Sequence, residues 1–302
     1  LQADDAVSRI DENPDKRNPG DFCVWKISKP SESSWDDSEL GRGRPGWHIE
    51  DTAMTEAYFG PQYDLHGGGI DLKFPHHEAE IAQQEAASGQ VPFVRHWMHA
   101  GFLQVSGGKM SKSVGNIISL REALRQWPAE ALRFFFLSAI WHEPLALSDD
   151  ALKASAAAVQ RIAQLLYRLD AMTDIGTDDE AFIDSIHGST VAVEEAMDNN
   201  LNSPAAFGEI FTLVSATNKA LLDERVGDDT RRKLKEFFSL VSERFGIVPA
   251  VMYAPAEIDA LVNEREQARA RKDWDIADSI RTRLTELGWN VDDTPFGPLV
   301  KK

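Results

Sequence analysis

The spacing of apolar residues changes once along the chain, near residue 149, and that change limits the folds open to it. Between Trp47 and Asn116, glycine-rich turns alternate with short apolar segments, among them Tyr63-Asp64-Leu65 and Gly101-Phe102-Leu103-Gln104-Val105. Short runs punctuated by glycine suit the strands and loops of an α/β sheet. From Asn116 to Ser148 the spacing becomes helical, with Leu120, Ala123 and Leu124 and then Leu132, Phe135 and Phe136 in step. From about Asp149 to Val248 the pattern is that of amphipathic helices: Val159, Ile162, Leu165, Leu166 and Leu169 share one face, and Phe207, Ile210, Phe211 and Val214 repeat it. The expected organisation is an α/β segment over residues 1–148, an all-α helical bundle over 149–250 and a small C-terminal helical unit over 251–302.

Local signals refine this division. Asp21-Phe22-Cys23-Val24-Trp25-Lys26 is a short apolar run of strand type, with Cys23 expected as a small core residue, and Ser31 to Gly43 lacks a period and is expected to be a surface loop. Ser203 is placed to cap a helix whose first turn holds Pro204, and Thr173 to Asp179 is expected to be a polar linker. In the last unit, helices are expected over Ile258 to Ala270 and Trp274 to Leu287, with Gly288 as the stop. No internal repeat is evident.

At 302 residues, 42% of them hydrophobic, the chain can bury cores in two or three domains. No apolar run approaches the roughly eighteen residues needed to span a bilayer, and the start lacks the pattern of a secretory signal, so a cytoplasmic, non-membrane protein is expected. One cysteine, Cys23, cannot form an intramolecular disulfide or a cysteine-rich zinc finger. The formal charge of −17 argues against nucleic-acid binding through a broad basic face, so a nucleic-acid partner must meet local basic patches. Acidic surplus with arginine favoured over lysine also suits a salt-rich cytoplasm, where surface repulsion is screened.

Four motifs carry chemistry. Lys109-Met110-Ser111-Lys112-Ser113 follows the pair Gly107-Gly108, which places two cationic side chains and two hydroxyls on a loop suited to closing on phosphates; a solvated polar surface explains the pentapeptide taken alone equally well. Gly67, Gly68 and Gly69 remove side chains where a flat ligand would approach the backbone, and Asp71 follows with a carboxylate suited to ribose hydroxyls; a plain glycine-rich turn explains the glycines equally well. Pro75 fits the first turn of a helix that sets His76 and Glu80 four residues apart on one face, which is metal-ligand spacing and also the spacing of an ordinary polar face. Near the C-terminus, Arg265, Arg269, Arg271, Trp274 and Arg281, with Trp289 beyond them, mix arginine with aromatic rings that could stack on unpaired bases; interleaved acids make a solvated face, with both tryptophans in the core, the alternative.

In order and spacing, Gly46-Trp47-His48-Ile49-Glu50-Asp51, His66-Gly67-Gly68-Gly69-Ile70-Asp71-Leu72, Phe74-Pro75-His76-His77-Glu78-Ala79-Glu80 and the lysine loop closely resemble class I cysteinyl-tRNA synthetases. The resemblance implies that residues 1–148 are the second half of a Rossmann-like catalytic domain and that ATP, with Mg2+, and cysteine are substrates. It further implies that Trp47, His48 and His66 lie at the aminoacyl-adenylate, beside a nucleotide pocket formed by Gly67 to Gly69 and Asp71. Lys112 and, at longer reach, Lys109 would act on the pyrophosphate. His76 and Glu80 match the family's zinc ligands, and Asp51 falls where a further ligand, usually cysteine, is expected; an aspartate oxygen is a harder donor and leaves the Zn2+ more electron-poor. The stretch Asp198 to Pro204 resembles the family's helical anticodon-binding domain, and Ile258 to Lys302 its small C-terminal anticodon-recognition unit, so tRNA(Cys) is the expected partner of a monomer.

The chain also departs from the family. Its N-terminal histidine motif, which binds ATP, is absent, and so is the stretch with the fourth zinc ligand; the chain is therefore expected to be the C-terminal part of a longer polypeptide and inactive alone. Ile140-Trp141-His142-Glu143 replaces the basic run expected near the acceptor stem. Two rival readings remain at this point, a cysteine ligase that uses the same adenylation on an amino-sugar, and a non-catalytic tRNA-binding protein.

Overall fold

The structure is a computed structural model, and residues 14, 16–105, 108–109, 118–172, 176–249, 255–294 and 297–301 are described. The chain divides into two compact units, one formed by residues 1–110 with 141–145 and the other by 111–140 with 146–302.

In the first unit, β1 (Trp25–Ile27), β2 (Trp35–Asp37) and β3 (Gly41–Pro45) form an antiparallel sheet with β3 central, pairing Trp25 with Pro45 and Trp35 with Gly43. The stretch read as loop from Ser31 to Gly43 thus holds one strand and most of another. Its polar residues conceal them because this small sheet is largely exposed and needs no apolar alternation. The Arg44 guanidinium bonds the Glu32 carboxylate at 3.2 Å and holds it below its usual pKa. Cys23 precedes β1 and is exposed, with its thiol directed at the Trp25 carbonyl, so the expectation of a core residue in a strand is corrected.

Gly46 turns the chain into α1 (Trp47–Phe59), a helix where the sequence suggested strand and loop. The apolar residues of this segment follow no clean period, and only Thr52 in it is buried, so its helicity is set by packing rather than by pattern. A Cβ on Gly46 would lie 2.0 Å from the Cys23 carbonyl oxygen, so only glycine lets the two backbones approach. Strand β4 (Tyr63–Gly69) then pairs in parallel with β5 (Val94–Ala100), His66 opposite Trp97 and Gly68 opposite His99. The crossover contains a 3-10 turn, Ile70–Lys73, and α2 (His76–Ser88), which ends on Gly89 in the left-handed conformation. Gly67 to Gly69 therefore close a strand rather than make a turn. Antiparallel β6 (Leu103–Val105) and β7 (Gly108–Lys109) bring the chain to the lysine loop.

The second unit begins with α3 (Leu120–Gln126), started by a reciprocal capping box between Ser119 and Glu122, and α4 (Ala129–Leu137). The short β8 (Leu145–Leu147) leads into α5 (Asp149–Ala171), followed by α6 (Glu180–Asp198), α7 (Ser203–Leu222) and α8 (Asp228–Phe245). Ile162, Leu165, Leu169, Ile186, Ile210, Leu213, Leu234 and Phe238 are almost wholly buried in the bundle core. The cap of α7 is Asn202, whose side chain accepts from the Ala205 amide; Ser203 is the first helical residue, and its hydroxyl donates to the Leu137 carbonyl. In the segment expected to be a linker, residues 173–175 lie outside the described residues, while Asp178 and Asp179 anchor helices. Asp178 accepts from the Thr230 amide and hydroxyl, and Asp179 caps α6 and pairs with Arg225.

The last elements are α9 (Ala256–Ala270), α10 (Trp274–Glu286) and a hairpin of β9 (Asn290–Thr294) and β10 (Gly297–Lys301). They enclose Ile258, Val262, Ile280, Leu284, Trp289 and Val291, so Trp289 is a core residue. No described helix is long and apolar enough to cross a membrane.

Two substitutions test this packing. Phe238→Ala empties a fully buried site and is expected to lower unfolding free energy by about 3–5 kcal/mol in urea denaturation of the bundle. Gly46→Ala should cost about 1–3 kcal/mol, because the start of α1 must move off the Cys23 carbonyl.

Candidate functional site

The parallel pair β4–β5 and the helices before and within its crossover gather the titratable residues of the first unit. Helix α1 supplies Trp47, His48 and Asp51; α2 supplies His76, His77 and Glu80; β4 ends on His66 and the three glycines. On β5, Trp97 and His99 stand two residues apart and so point to one face of the sheet.

His76 is the hub. Its ring stacks on Trp47 with centroids 4.0 Å apart and 18° between planes. Its Nδ1 lies 2.6 Å from His48 Nδ1, and its Nε2 meets Asp51 Oδ2 at 2.8 Å and stands 2.9 Å from Glu80 Oε1. The Nε2 to Asp51 contact has hydrogen-bond geometry, whereas neither Glu80 oxygen receives a hydrogen bond, although the residue is only 1% exposed. Such a group is costly, because a buried carboxylate forfeits hydration without replacing it. Burial, reinforced by the negative charge of Asp51, pushes the Glu80 carboxyl up to about 7.

Histidines surround Glu80 on its other side. His66 Nε2 lies 3.8 Å from Oε2, while His66 Nδ1 is held by the Tyr63 hydroxyl. His77 Nδ1 lies 2.7 Å from His99 Nε2, and His66 stacks on Trp97 at 4.9 Å. Burial, aided by neighbouring histidines, depresses His77 to about 4 and also lowers His48 and His66, so these rings favour the neutral form with a lone pair to offer.

The residues fit a divalent metal. One ligand atom each from Asp51, His76 and Glu80 fall within 4.8 Å of one another, and a cation there would supply the partner that the Glu80 oxygens lack. Coordination needs the His76 tautomer that donates from Nδ1 to His48, which would then hold the ring in place. The contacting atoms are one imidazole nitrogen and two carboxylate oxygens, with no thiolate among the described residues at the site.

The glycines explain how these groups approach. A Cβ on Gly68 would fall 2.8 Å from His77 Cε1, and one on Gly69 would fall 2.6 Å from Asp71 Oδ1. The strand end is thus stripped of side chains so that the His77 ring and the Asp71 carboxylate can lie over it.

The expected residues do not all meet. Trp47, His48, Asp51, His66, His76 and Glu80 form one cluster, and Gly67 to Gly69 with Asp71 border it. Lys112 lies outside the described residues; for Lys109 the backbone pairing with Gln104 is described. Tyr63, Trp97 and His99 belong to the cluster but were not singled out from sequence. The alternation of Trp97 and His99 was the available signal, since it sets both on one strand face.

In the C-terminal unit the five expected residues separate into two kinds. Arg265 is 4% exposed and forms a two-point pair with Asp293, at 2.7 and 2.9 Å, while Arg269 also pairs with Asp293 and with Glu266. These two tie α9 to β9 and do not present free guanidinium groups. Arg271, Trp274 (58% exposed) and Arg281 face solvent.

Comparison with known proteins assigns three segments of the chain to domain families. Residues 2–157 match the model of the tRNA synthetases class I (C) catalytic domain, residues 192–248 the DALR domain and residues 254–295 the cysteinyl-tRNA ligase anticodon binding domain. Relatives named cysteine–tRNA ligase include those of Geobacter sulfurreducens (40% identical over 98% of this chain and 66% of the relative) and Coxiella burnetii (40%, 97% and 63%). Another is that of Thermococcus onnurineus (37%, 98% and 64%), so the chain spans just under two thirds of the length of these relatives. Among solved structures, the LeuRS of Agrobacterium radiobacter K84, in its ternary complex with tRNA and LeuAMS, aligns with a TM-score of 0.53. It is 14% identical over 71% of this chain and 32% of its own, and shares the fold. With a catalytic-domain match over more than half its length and the histidine cluster framed by α1, β4 and α2, the chain belongs to the class I tRNA synthetase (C) family.

Proposed function

We propose that the complete polypeptide containing this chain is a cysteine–tRNA ligase, which activates cysteine with ATP and transfers it to tRNA(Cys). The observation that carries this reading is the presence in one chain of the class I (C) catalytic match and, at residues 254–295, the anticodon-binding match of cysteinyl-tRNA ligases. An adenylating ligase with an amino-sugar acceptor has no use for the second.

Each group has a task that follows from its chemistry. The cysteine carboxylate attacks the α-phosphate of ATP, and negative charge grows on the departing pyrophosphate. Lys112, with Lys109 in support, neutralises that charge, a contribution that is largest in the transition state. The bare backbone of Gly67 to Gly69 lets the adenylate lie against β4, Asp71 offers its carboxylate to ribose hydroxyls, and Trp47, His48 and His66 flank the aminoacyl end.

Asp51, His76 and Glu80 would hold a Zn2+ ion, which supplies Lewis acidity toward the substrate thiol. Glu80 would then stay ionised, despite the burial that raises its pKa, because the positive charge would offset the loss of hydration. Selection of cysteine over serine rests on this donor set: a hydroxyl is a weaker acid than a thiol and gains less there, so rejection needs no second, editing site.

At the other end of the chain, Trp274, Arg271 and Arg281 are the groups positioned to meet unpaired bases and phosphates. Arg265 and Arg269 act through the Asp293 carboxylate, which they hold in place and keep well below its usual pKa.

The direct experiment is cysteine-dependent pyrophosphate exchange by the complete polypeptide. Lys112→Ala is expected to lower the exchange rate by about two orders of magnitude, near 3 kcal/mol, with little change in ATP affinity. An unchanged rate would remove the loop from the reaction. Truncation before Ile258 should weaken tRNA binding and leave exchange intact, and Trp274→Ala alone should cost about 1–3 kcal/mol of tRNA affinity. Undiminished tRNA affinity in both would return this arginine-rich helix pair to the role of a solvated face.

A further inference from the structure

We propose that the flank of the helical bundle formed by α5 and α7 docks the phosphate backbone of a base-paired tRNA stem, with Arg161 and Lys219 as its contacts. This surface presupposes the tRNA partner proposed above and lies apart in sequence from the C-terminal unit.

Charge distribution singles out the flank. Roughly one residue in six of the chain is acidic, yet Ala151 to Leu169 of α5 holds Lys153, Arg161 and Arg168 and no acid, and Ile210 to Leu222 of α7 holds Lys219 and no acid. The acids of α5, Asp149, Asp150 and Asp170, are confined to its ends. The rest of the bundle is the reverse. Between Arg168 and Lys219 the sequence has ten aspartates and glutamates and no lysine or arginine, and five of the ten lie on α6.

Helix α8 has five cations, but each stands beside a carboxylate. Arg231 meets Asp228 at 2.9 Å, Arg232 and Lys233 meet Glu236 at 2.7 and 3.8 Å, Arg244 meets Glu194 at 2.8 Å, and Lys235 pairs with Asp170. Arg161 and Lys219 are exposed and form no ion pair among the described residues. A polyanion is therefore repelled at α6 and must displace carboxylates at α8, whereas the α5–α7 flank offers it unopposed positive charge.

Two contacts across the helices fix this flank. The Arg161 guanidinium lies over the Phe211 ring, 4.9 Å from its centroid, and Arg168 Nη1 donates to Asn218 Oδ1 at 2.7 Å, next to Lys219 in the chain. A guanidinium held over a ring keeps its N–H groups free at the rim and has less freedom left to lose when it meets a phosphate. The same contact argues for a duplex rather than unpaired bases. Arg161 covers the ring on which a base would stack, and what the flank presents outward is cationic groups and the exposed hydroxyls of Thr212 and Ser215, which suit phosphate oxygens and ribose 2′-hydroxyls.

The experiment is a titration of the complete polypeptide into fluorescently labelled tRNA(Cys), followed by anisotropy between about 50 and 200 mM KCl. Each phosphate contact steepens the dependence of log Kd on log salt by about one. Arg161→Gln and Lys219→Ala should each lower that slope by about one and weaken binding about threefold to tenfold, equally for tRNA with its anticodon replaced. Lys233→Ala, which removes a paired cation from α8, should leave the slope unchanged. A double variant with the wild-type slope would overturn the flank, and so would a Lys233→Ala slope lowered as much, since total charge and not position would then govern binding. Lys219→Ala decides alone where Arg161→Gln fails to fold. Wild-type protein that binds no tRNA would remove the partner itself along with the flank; wild-type binding with unaltered slopes in the variants would remove the flank and leave the ligase reading standing.

Discussion

The arrangement of the first unit depends on one buried carboxylate. Glu80 sits on the inner face of α2 with two oxygens that receive no hydrogen bond, surrounded by imidazoles from α2 and β4. An isolated carboxylate in such a place is strongly disfavoured and would protonate or be expelled. Neighbouring features make sense as consequences of keeping it there: the stack of Trp47 on His76, the bond between His48 and His76, and the Tyr63 and His99 contacts that fix the remaining rings. They order lone pairs around a position where a cation would satisfy what the protein leaves unsatisfied.

In the proposed function, position on the sheet would make this cluster a site for a nucleotide-activated amino acid. The glycines that end β4 bring backbone to the surface next to the histidines, and β6 and β7 lead directly into the lysine loop. On the proposed reading, elements contiguous in sequence would address the thiol, the adenylate and the pyrophosphate. The ion pairs of the C-terminal unit are built on a different principle. Arg265 is engaged by Asp293 and holds the hairpin against α9, so the exposed ring and guanidinium groups of α10 and the turn before it are the ones proposed for recognition.

Much of this could be read from residues alone. The helices of the bundle followed their period because a continuous apolar face must be buried, and Ile162, Leu165 and Ile210 are among its most buried residues. That His76 and Glu80 lie side by side was legible because residues four apart share a helix face, whereas the spacing alone did not separate a ligand pair from a polar face; the nearness of Asp51 was suggested only by a family pattern. The helix Trp47–Phe59 was not, since its apolar residues stack on the histidine cluster or lie on an exposed face rather than in a core. Strands Trp35–Asp37 and Gly41–Pro45 were hidden by polar residues that an exposed small sheet tolerates. The fate of Arg265 was equally invisible: a bidentate partner 28 residues away leaves no trace in local sequence. Contacts between elements distant in the chain also conceal Tyr63, Trp97 and His99.

The central claim is that a metal ion held at Asp51, His76 and Glu80 is what distinguishes cysteine from serine. The most direct measurement is the binding of each amino acid to the complete polypeptide before and after removal of metal by a chelator, with metal content determined on the same samples. The account predicts that the protein as purified carries metal and prefers cysteine, and that the stripped protein loses this preference while ATP binding survives. It predicts the same loss in His76→Ala. Metal-free protein that still prefers cysteine over serine would contradict it, and would mean that the helix carrying His76 and Glu80 reads the amino acid by hydrogen bonds alone.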